Sequence, residues 1–522
     1  MSLRPFFLAG LVLTVVHGTA AGQAPPRALS LEEALNLARP ASEPMGLARA
    51  AVTRARGDQY RARSELLPQL SGSASYSRLI KSQFEGLAGN DTSSAPAGPT
   101  SCSRFSADPS LPIGARVDSL EKSLECVSGL DPFGNLGSLP FGRANTYNLG
   151  LSLSQTVFSG GRVQGQMRAA DAARRSADIG LVAADAELTL TVVQTYFDAA
   201  LADQLATIAR STLDQADSTL RQTELQRAVG TTPEFEVLRA RVTRDNQRAS
   251  AIQRESDREI AHLRLKQLLD LPTGMPLDLT TVLDDSALAR TPSIAPLLAS
   301  IPDTASEHRA PVQQAGEAVR AQEGLYRVAR SQNLPAVALT SAYSRVAYPG
   351  SGLPSWSQFL TNWSVAVGLS VPIFTGGRIK GDKLVASANL DEARLRLRQA
   401  SEFAELDARS STRQLQTAQE ALRASEGTAE QADRAYRIAE VRFSEGISTQ
   451  TELLDARLAL AIARGIRAQA SRDAQIARVR VALLPLLPLA GTGGQTPSST
   501  VRTTQRTATQ AQTPAPTGTG FP

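Results

Sequence analysis

Side chains that could carry enzymatic chemistry are few in this sequence. Its 522 residues include two cysteines and three histidines, which are too few for a zinc ligand set with usable spacing. His17 lies in an apolar N-terminal segment, which leaves His262 and His308. No nucleophile elbow, phosphate-binding loop or His-Glu-x-x-His motif occurs. We therefore expect no catalytic, cofactor-binding or metal-binding residues and no enzymatic activity.

The two cysteines, Cys102 and Cys126, are 24 residues apart in a segment rich in glycine, proline and serine. If this segment is an exported loop, its oxidising surroundings favour a disulfide between the two cysteines. The disulfide would stabilise the fold by about 3–4 kcal/mol through loop closure. Two free thiols are the alternative.

Residues 1–24 have the features of a secretory signal peptide. Arg4 supplies the positive start, an apolar run of 11 residues follows, and small residues offer cleavage sites. The run is too short to span a bilayer, and no cysteine follows it as a lipid attachment site. We therefore expect an exported chain without a lipid anchor. The 55 basic and 50 acidic residues are interleaved, so we expect no nucleic-acid partner.

The sequence contains an internal repeat. Tyr-Ser-Arg at 76–78 recurs at 343–345, an offset of 267, and Phe-x-Gly-Gly-Arg at 158–162 recurs at 374–378, an offset of 216. The second offset then persists for more than a hundred residues. The difference of 51 residues is therefore one insertion within the first half, and the chain has two copies of one unit.

Each half contains two candidate strands. In 147–158 and 363–374, apolar residues alternate with small or polar ones, and this period of two predicts a sheet with one apolar face. Tyr147 and Trp363 stand at the matched starts of these strands, as expected for an aromatic girdle at the edge of an outer membrane. A strand of a soluble β-sandwich has a similar pattern and is the alternative.

A helical stretch of 68 residues without proline follows in each half, at 161–228 and 377–444. A continuous helix of this length spans about 100 Å. In the second stretch, small and apolar residues recur with alternating steps of four and three, the period of a coiled coil. This alanine seam consists of Ala418, Leu422, Ser425, Ala429, Ala432, Tyr436, Ala439 and Phe443. A glycine turn and a returning helix follow, with Thr232 in the first half and Ser448 or Thr449 in the second as expected caps.

These elements predict a mainly α-helical, duplicated chain with four β-strands of a membrane β-barrel and long coiled-coil helices. The expected organisation is a signal peptide (1–24), a first repeat (25–271), a linker or equatorial segment (272–305), a second repeat (306–488) and a disordered tail (489–522). Within the repeats we expect strands at about 70–79, 146–158, 336–346 and 362–374, an extracellular loop at 79–145, and tunnel helices at 161–270 and 377–484.

One chain cannot close a membrane barrel with four strands, because the smallest such barrels have eight strands. An open edge would leave backbone polar groups unsatisfied in lipid. Two, three or four copies would supply eight, twelve or sixteen strands. The sequence therefore predicts an assembly of several copies.

The ordered motifs resemble those of the TolC-like outer membrane efflux proteins. The set comprises Leu-Glu-Glu-Ala-Leu at 31–35, Leu-Pro before the first strand of each half, the two Phe-x-Gly-Gly-Arg motifs, and glycine turns before Leu-x-x-Arg at 238–241 and 454–457. It covers about residues 29–488. The resemblance implies a homotrimeric α/β-barrel channel-tunnel, with a twelve-stranded barrel in outer-membrane lipid and a twelve-helix tunnel in the periplasm. Its implied partners are a periplasmic adaptor (membrane fusion) protein and, indirectly, an inner-membrane transporter of the RND, ABC or MFS type.

The resemblance also implies that the tips of the helical hairpins contact the adaptor. The implied contact residues are Val229, Gly230, Thr231, Glu445, Gly446 and Ile447. A plain hairpin turn that needs glycine for a positive φ is the alternative reading of these positions.

Family members narrow the tunnel with acidic residues that follow the second glycine turn. Glu452 and Asp455 match this position, and Glu236 mirrors Glu452 in the first half. In a trimer, each would form a ring of three carboxylates that attracts cations. Helix capping is an alternative role for Glu452. Ser448 stands where the family uses a basic residue to latch the closed tip, so the family's closing mechanism is not expected here.

The expected function is therefore a passive outer-membrane duct of a tripartite efflux or type I secretion system, with energy supplied by its partners. A soluble periplasmic coiled-coil adaptor or scaffold is the alternative. Such an adaptor should have one helical hairpin, whereas this sequence predicts two hairpins and barrel-like strands. The nature of the cargo does not follow from these residues.

Overall fold

The computed structural model describes residues 27–81, 108–128, 144–284, 287–299, 303–350 and 352–489. Within these ranges the elements are β1 (Arg27–Leu29), α1 (Leu31–Ala41), α2 (Glu43–Ser64), β2 (Gln69–Arg78), α3 (Ile113–Ser128), β3 (Asn145–Phe158), α4 (Arg162–Ala228), α5 (Glu234–Leu268), β4 (Leu277–Leu279), α6 (Ala295–Ala299), α7 (Ala310–Ser331), β5 (Ala336–Ala347), β6 (Leu360–Ser370), α8 (Arg378–Ser444) and α9 (Gln450–Leu483). None of the helices described is both long and apolar enough to cross a membrane.

The chain divides into two compact units. The first, here called the sheet unit, comprises Gly46–Leu181 and Gln313–Gln399. The second, here called the hairpin unit, comprises Met1–Met45, Val182–Val312 and Ala400–Pro522. The sheet unit contains β2, β3, β5 and β6, whereas the hairpin unit contains the two glycine turns.

The sheet unit contains a four-stranded antiparallel sheet in the order β2-β3-β5-β6. Residues opposite each other in such a sheet project to the same face, and one ladder row joins Gly72, Leu151, Tyr343 and Trp363. The face that carries this row, here called the apolar face, includes Leu149, Leu153, Val337, Leu339, Val365, Val367 and Leu369. Serine, glycine, alanine, threonine and asparagine dominate the opposite face. The period-two pattern of the sequence therefore corresponds to a sheet with two chemically different faces.

Three of the four strands end within one residue of the predicted limits, but β6 is shorter than predicted. The sequence pattern continues to residue 374, whereas β6 ends at Ser370. Proline has no backbone N–H to donate to a ladder, and Pro372 stands two residues after this end. The prediction was wrong because side-chain alternation does not report the missing donor.

The segment 79–145, which the sequence predicts as a loop, contains the helix α3. Leu120 and Leu124, four residues apart on this helix, are the kind of helical signal that the segment's glycine and proline content obscures. Cys102 lies outside the described residues, so its disulfide with Cys126 stays a prediction. The predicted signal peptide and residues 490–522 also lie outside the described part of the chain.

Two glycines allow α4 and α7 to cross with their backbones in contact. A Cβ atom added to Gly165 would lie 2.7 Å from the Gly324 carbonyl oxygen, and one added to Gly324 would lie 2.6 Å from that of Gly165. Carbon atoms do not approach oxygen this closely, so neither position accepts a side chain without moving a helix. This crossing joins the second half of the chain to the first.

The turn after β3 has a similar requirement. Gly160 has φ 61°, and a Cβ there would lie 2.6 Å from the Cβ of Leu334. The Phe-x-Gly-Gly-Arg motif of the first half therefore packs against the Leu-Pro motif of the second. After each such turn, an arginine contacts the residue that follows the helix before the first strand of that half. Arg162 contacts Glu65 at 2.8 Å, and Arg378 contacts Gln332 at 3.0 Å.

In the hairpin unit the alanine seam of α8 packs against α9. Tyr436, Leu453 and Leu460 form a buried cluster, against which Ala432, Ala439 and Phe443 pack. In the first hairpin, Leu220 of α4 packs with Val237 and Ala240 of α5. Small residues at most seam positions allow the paired helices to lie close together, as the four-three spacing predicts.

A charged network also links α4 to α5. His262 Nε2 lies 2.9 Å from Asp203 Oδ1, and Arg258 Nε donates to the same oxygen at 2.6 Å. Burial raises the pKa of Asp203, but these two partners lower it by more, so the pKa lies below its ordinary value of 3.8. The carboxylate is therefore the form that the folded hairpin stabilises.

The N-terminal strand β1 pairs in parallel with β4, some 250 residues later in the chain. Tyr196 of α4 is fully buried behind this pair, where its hydroxyl donates to the Leu29 carbonyl at 2.9 Å and accepts from the Thr281 N–H at 3.0 Å. Ser30 caps α1, with the Glu33 N–H donating to its Oγ at 3.2 Å. The strand β4, which lies in the predicted linker, therefore pairs with the N-terminal strand β1.

We predict that Gly324→Ala destabilises the protein by about 1–3 kcal/mol, the usual cost of overpacking. Gly316 lies on the same helix and has nothing within 4 Å of its added Cβ, so Gly316→Ala should stabilise by about 0.4–1 kcal/mol through reduced chain entropy. Denaturant unfolding of detergent-solubilised protein followed by circular dichroism measures both. Equal effects of the two substitutions would show that the glycine crossing is not a close backbone contact.

We predict that Asp203→Asn lowers the free energy of unfolding at pH 7 by about 1–3 kcal/mol, because charge-assisted hydrogen bonds are lost. The folded pKa is depressed, so this stabilisation is complete above the ordinary pKa of 3.8 and is lost as pH falls through the lower folded value. The difference between wild type and variant should therefore shrink on acidification. An unchanged difference at a pH well below 3 would contradict the assignment.

Candidate hairpin tips and carboxylate gate

The two hairpin turns of the hairpin unit have the same backbone geometry. Gly230 and Gly446 have φ values of 78° and 72°, which L side chains adopt only with strain. In the second turn, Gly446 N–H donates to the Phe443 carbonyl at 3.1 Å and Ile447 N–H donates to that of Arg442 at 2.8 Å. The first turn has the matching pair of bonds. Both are Schellman motifs, which end a helix with a left-handed glycine.

The predicted tip residues lie at the surface of these turns. Val229 is 75% exposed and Ile447 is 68% exposed, and Thr231, Glu445 and both glycines are exposed as well. Each turn thus presents one aliphatic side chain beside a glycine.

Thr449, not Ser448, caps α9: the Glu452 N–H donates to its Oγ1 at 3.3 Å. The first hairpin differs, since α5 begins after Pro233 without a side-chain cap. The expected cap, Thr232, instead has its hydroxyl 3.2 Å from the Gln226 side chain. The prediction of Thr232 as a cap was wrong because the proline already fixes the entry of the helix.

Glu452 and Asp455 occupy the first two turns of α9 and are both exposed. Residues three apart on a helix lie on the same side, so the two carboxylates share one face. Only the backbone of Glu452 is seen to take part in the cap. Within the described residues neither side chain has an ion-pair or hydrogen-bond partner.

Glu236, the equivalent of Glu452 in the first hairpin, has a different environment. It is half-buried, and its Oε2 atom is buried without a hydrogen-bond partner among the described residues. Arg239 stands at the position equivalent to Asp455 and is also half-buried. Of these four equivalent positions, the exposed carboxylates are therefore the two of the second hairpin. Within the described ranges, no group of three or more His, Cys, Asp or Glu side chains is placed to hold a metal ion.

Arg457, a residue of the second Leu-x-x-Arg motif, links the two hairpins. It is 6% exposed, and its Nη2 donates to Thr219 Oγ1 of α4 at 3.0 Å. Tyr436 lies beside it and donates to Glu440 at 2.8 Å. Burial raises the pKa of Tyr436 and the Glu440 carboxylate adds to this, while Arg457 partly offsets it. A groove of about 510 Å³ between α4, α8 and α9 exposes one side of this cluster.

No motif in the sequence predicts this contact. The equivalent arginine of the first hairpin, Arg241, stays half-exposed and pairs with Glu224 at 3.2 Å. Glu224 is the repeat equivalent of Glu440. The duplicated motif thus has a surface ion pair in one hairpin and a buried contact between hairpins in the other.

The predicted girdle residues both lie on the apolar face of the sheet unit but in different ladder rows. Tyr147 stacks on Tyr76 with ring centroids 4.7 Å apart and is opposite Ala347. Trp363 is opposite Tyr343, four residues before Ala347 in β5, and donates from Nε1 to Ser341 Oγ at 3.0 Å. Within one chain the two aromatics therefore do not form a single row.

A four-stranded sheet with one apolar face and two long helical hairpins defines a channel-tunnel class of protein. The sequence model of the outer membrane efflux protein family matches residues 133–270 and 301–512. The chain belongs to this family. This membership confirms the resemblance that its motifs indicate, and with it the predicted fold class and the predicted outer-membrane location.

Two curated relatives from Pseudomonas putida strains are 27% identical over 330 residues: the probable efflux pump outer membrane protein SepC and the toluene efflux pump outer membrane protein TtgF. The matches cover 60% of this chain and 64% of theirs. Among solved structures, CusC has a TM-score of 0.65 at 18% identity, covering 87% of this chain and 91% of that one. The open state of the MtrE outer membrane channel of Neisseria gonorrhoeae has a TM-score of 0.64 at 21% identity, covering 88% and 89%.

We predict a coupling energy of about 1–3 kcal/mol between Arg457→Met and Thr219→Val in a double-mutant cycle, the usual range for a buried hydrogen bond to a charged group. The matched surface pair, Arg241→Met with Glu224→Gln, should couple by less than about 1 kcal/mol. Denaturant unfolding of the four variants of each cycle measures this. A coupling no larger than that of the surface pair would show that Arg457 does not hold the hairpins together.

Proposed function

We propose that the chain is the outer-membrane channel of a tripartite efflux pump or type I secretion system. It conducts substrates passively, as a homotrimer, from a periplasmic adaptor and an inner-membrane transporter of the RND, ABC or MFS type to the outside. The names of the curated relatives favour efflux over secretion. In this proposal residues 25–271 and 306–488 are the two repeats and residues 272–305 join them.

The observation that carries this proposal is the exposed apolar face of the sheet. Val365, Val367 and Leu369 are 62%, 71% and 66% exposed, and both edge strands, β2 and β6, have one side without a partner strand among the described residues. Water disfavours such a face, whereas lipid favours it. Lipid in turn requires that the edges be paired, and three copies would give a closed barrel of twelve strands.

The hairpin tips and the carboxylates take their roles from this assembly. The exposed turns at Val229–Thr231 and Glu445–Ile447 would contact the helical hairpins of the adaptor. Glu452 and Asp455, exposed and unpaired among the described residues, would each form a ring of three carboxylates in a trimer. Such rings attract cations and repel anions.

The proposal is tested by extracting the protein from outer membranes in detergent, measuring the mass of the assembly and recording single channels in planar bilayers. A particle of about three chain masses with cation-selective current would support it. A water-soluble monomer without conductance would reject it and favour a periplasmic coiled-coil adaptor.

We predict that Asp455→Asn lowers the ratio of cation to anion permeability several-fold, and that adding Glu452→Gln lowers it further. Each lost charge at about 4 Å from a passing cation contributes on the order of 1 kcal/mol in water. Asp473→Asn is the matched control, because Asp473 lies on the same helix and pairs with Arg472 at 2.6 Å. Unchanged selectivity in the double variant would exclude these carboxylates from the narrowest part of the passage.

A further inference from the structure

The internal repeat predicts the contacts between copies of the chain, because the first half already packs against the second. In the sheet unit this contact, here called the repeat junction, has three parts: the crossing of Gly165 and Gly324, the packing of Gly160 on Leu334, and the ladder between β3 and β5. If another copy continues the ring, the second half of one chain must meet the first half of the next in the same way.

The glycines of the crossing have counterparts in the other repeat, and these counterparts do not pack against each other within the described chain. At the repeat offset of 216, Gly165 corresponds to Gly381. At the offset of 267, Gly324 corresponds to Gly57. Both equivalents are glycine, although glycine makes up only 37 of the 522 residues. Within the described part of the chain, an added Cβ would meet nothing within 4 Å at either position. The chain thus has the two halves of a close helix crossing at separate, uncovered sites.

The turn contact has an unoccupied equivalent as well. Gly160 corresponds to Gly376, which has φ 58° and nothing within 4 Å, and Leu334 corresponds to Leu67, which is 61% exposed. Beside the crossing, Ala169 packs against Gly324, and its equivalent Val385 is 63% exposed. A second copy would therefore cover apolar side chains that are exposed within one chain.

The strands specify a register for the same contact. Ser154 is opposite Thr340 and Leu153 is opposite Ser341 in the β3–β5 ladder. At the repeat offsets, the equivalent pairs are Ser370 with Ser73, and Leu369 with Ala74. These are the pairs expected in a ladder between two copies, here called the converted ladder. In the converted ladder Leu369 and Ala74 both belong to the apolar face, and Ser370 and Ser73 both belong to the opposite face. A register shifted by one residue would break this agreement.

We propose that β6, Gly376 and Gly381 of one copy bind β2, Leu67 and Gly57 of a second copy of this chain, repeating the repeat junction between subunits. The junction rests on the proposed homotrimer and specifies how its subunits meet. Gly57 and Gly381 form a crossing of α2 with α8 of the neighbouring copy, and Ser73 lies opposite Ser370 across the barrel seam. Because the contact is head-to-tail, it continues from copy to copy until the ring closes.

Paired cysteines test the register. The double variants Ser73→Cys with Ser370→Cys, and Ala74→Cys with Leu369→Cys, place thiols opposite each other in the proposed ladder, where disulfide geometry can be met. The two strands are opposite edges of the sheet within one chain, about 14 Å apart, so any disulfide must join two copies. Mild oxidation in isolated outer membranes, followed by non-reducing electrophoresis, should give dimers and trimers and nothing larger.

The same four positions provide matched controls. Ser73→Cys with Leu369→Cys, and Ala74→Cys with Ser370→Cys, place the thiols on opposite faces of the sheet, and these variants should not cross-link. Cross-linking in the mismatched variants rather than the matched ones would overturn the register. No cross-link in any variant of a preparation that has trimer mass and conducts would overturn the junction while leaving the proposed function in place. A soluble monomer without conductance would reject both.

The glycine crossing has its own test in Gly57→Ala and Gly381→Ala. Both positions are helical and open within the chain, so alanine should not lower the helix content of the chain. At the junction, however, a Cβ would fall where the equivalent in-chain atom lies 2.6 or 2.7 Å from a carbonyl oxygen. We expect at least a tenfold loss of trimer relative to monomer on native electrophoresis, with Gly114→Ala, also open, as the control. Trimers of wild-type abundance in both variants would exclude the crossing.

Discussion

Backbone hydrogen bonding at the edges of the four-stranded sheet is the constraint on which the rest of this structure depends. The apolar face favours lipid, but in lipid each unpaired N–H or C=O at an edge costs several kcal/mol. The face and the edges therefore cannot both be satisfied by one chain. A sheet of this kind must be extended until it closes, and the chain's own β3–β5 ladder already shows how one repeat extends another.

The helices that flank the sheet are subject to a related constraint on space. Neighbouring repeats meet in the sheet unit through backbone rather than through large side chains, as the Gly165–Gly324 crossing shows. In the hairpin unit, small residues along the alanine seam have the same effect. Close approach maximises dispersion contacts but leaves little apolar area to bury. The same unit also contains buried polar contacts, such as that of Arg309 with Asp407 at 2.7 Å.

The repeat, the four strands and the long helices could be predicted because each has a local period: two for the strands, four and three for the seam. The glycine turns could be predicted because a positive φ requires a particular residue. The β1–β4 pair could not, since its strands are three residues each and far apart in the chain. Nor could the Arg457–Thr219 contact, because its motif is identical in both hairpins and only tertiary packing separates a buried arginine from an exposed one.

The duplication itself constrains how the proposed gate can work. If both hairpins faced the passage equally, each Asp455 would be accompanied by Arg239 at the equivalent position, and the opposed charges would largely cancel. Asp455 and Glu452 are exposed, however, whereas Arg239 and Glu236 are half-buried. The buried Arg457 adds to this difference by fixing the second hairpin against α4. In the proposed trimer, a ring of like charge at these positions would therefore need carboxylates from the second hairpin of each chain and none from the equivalent positions of the first.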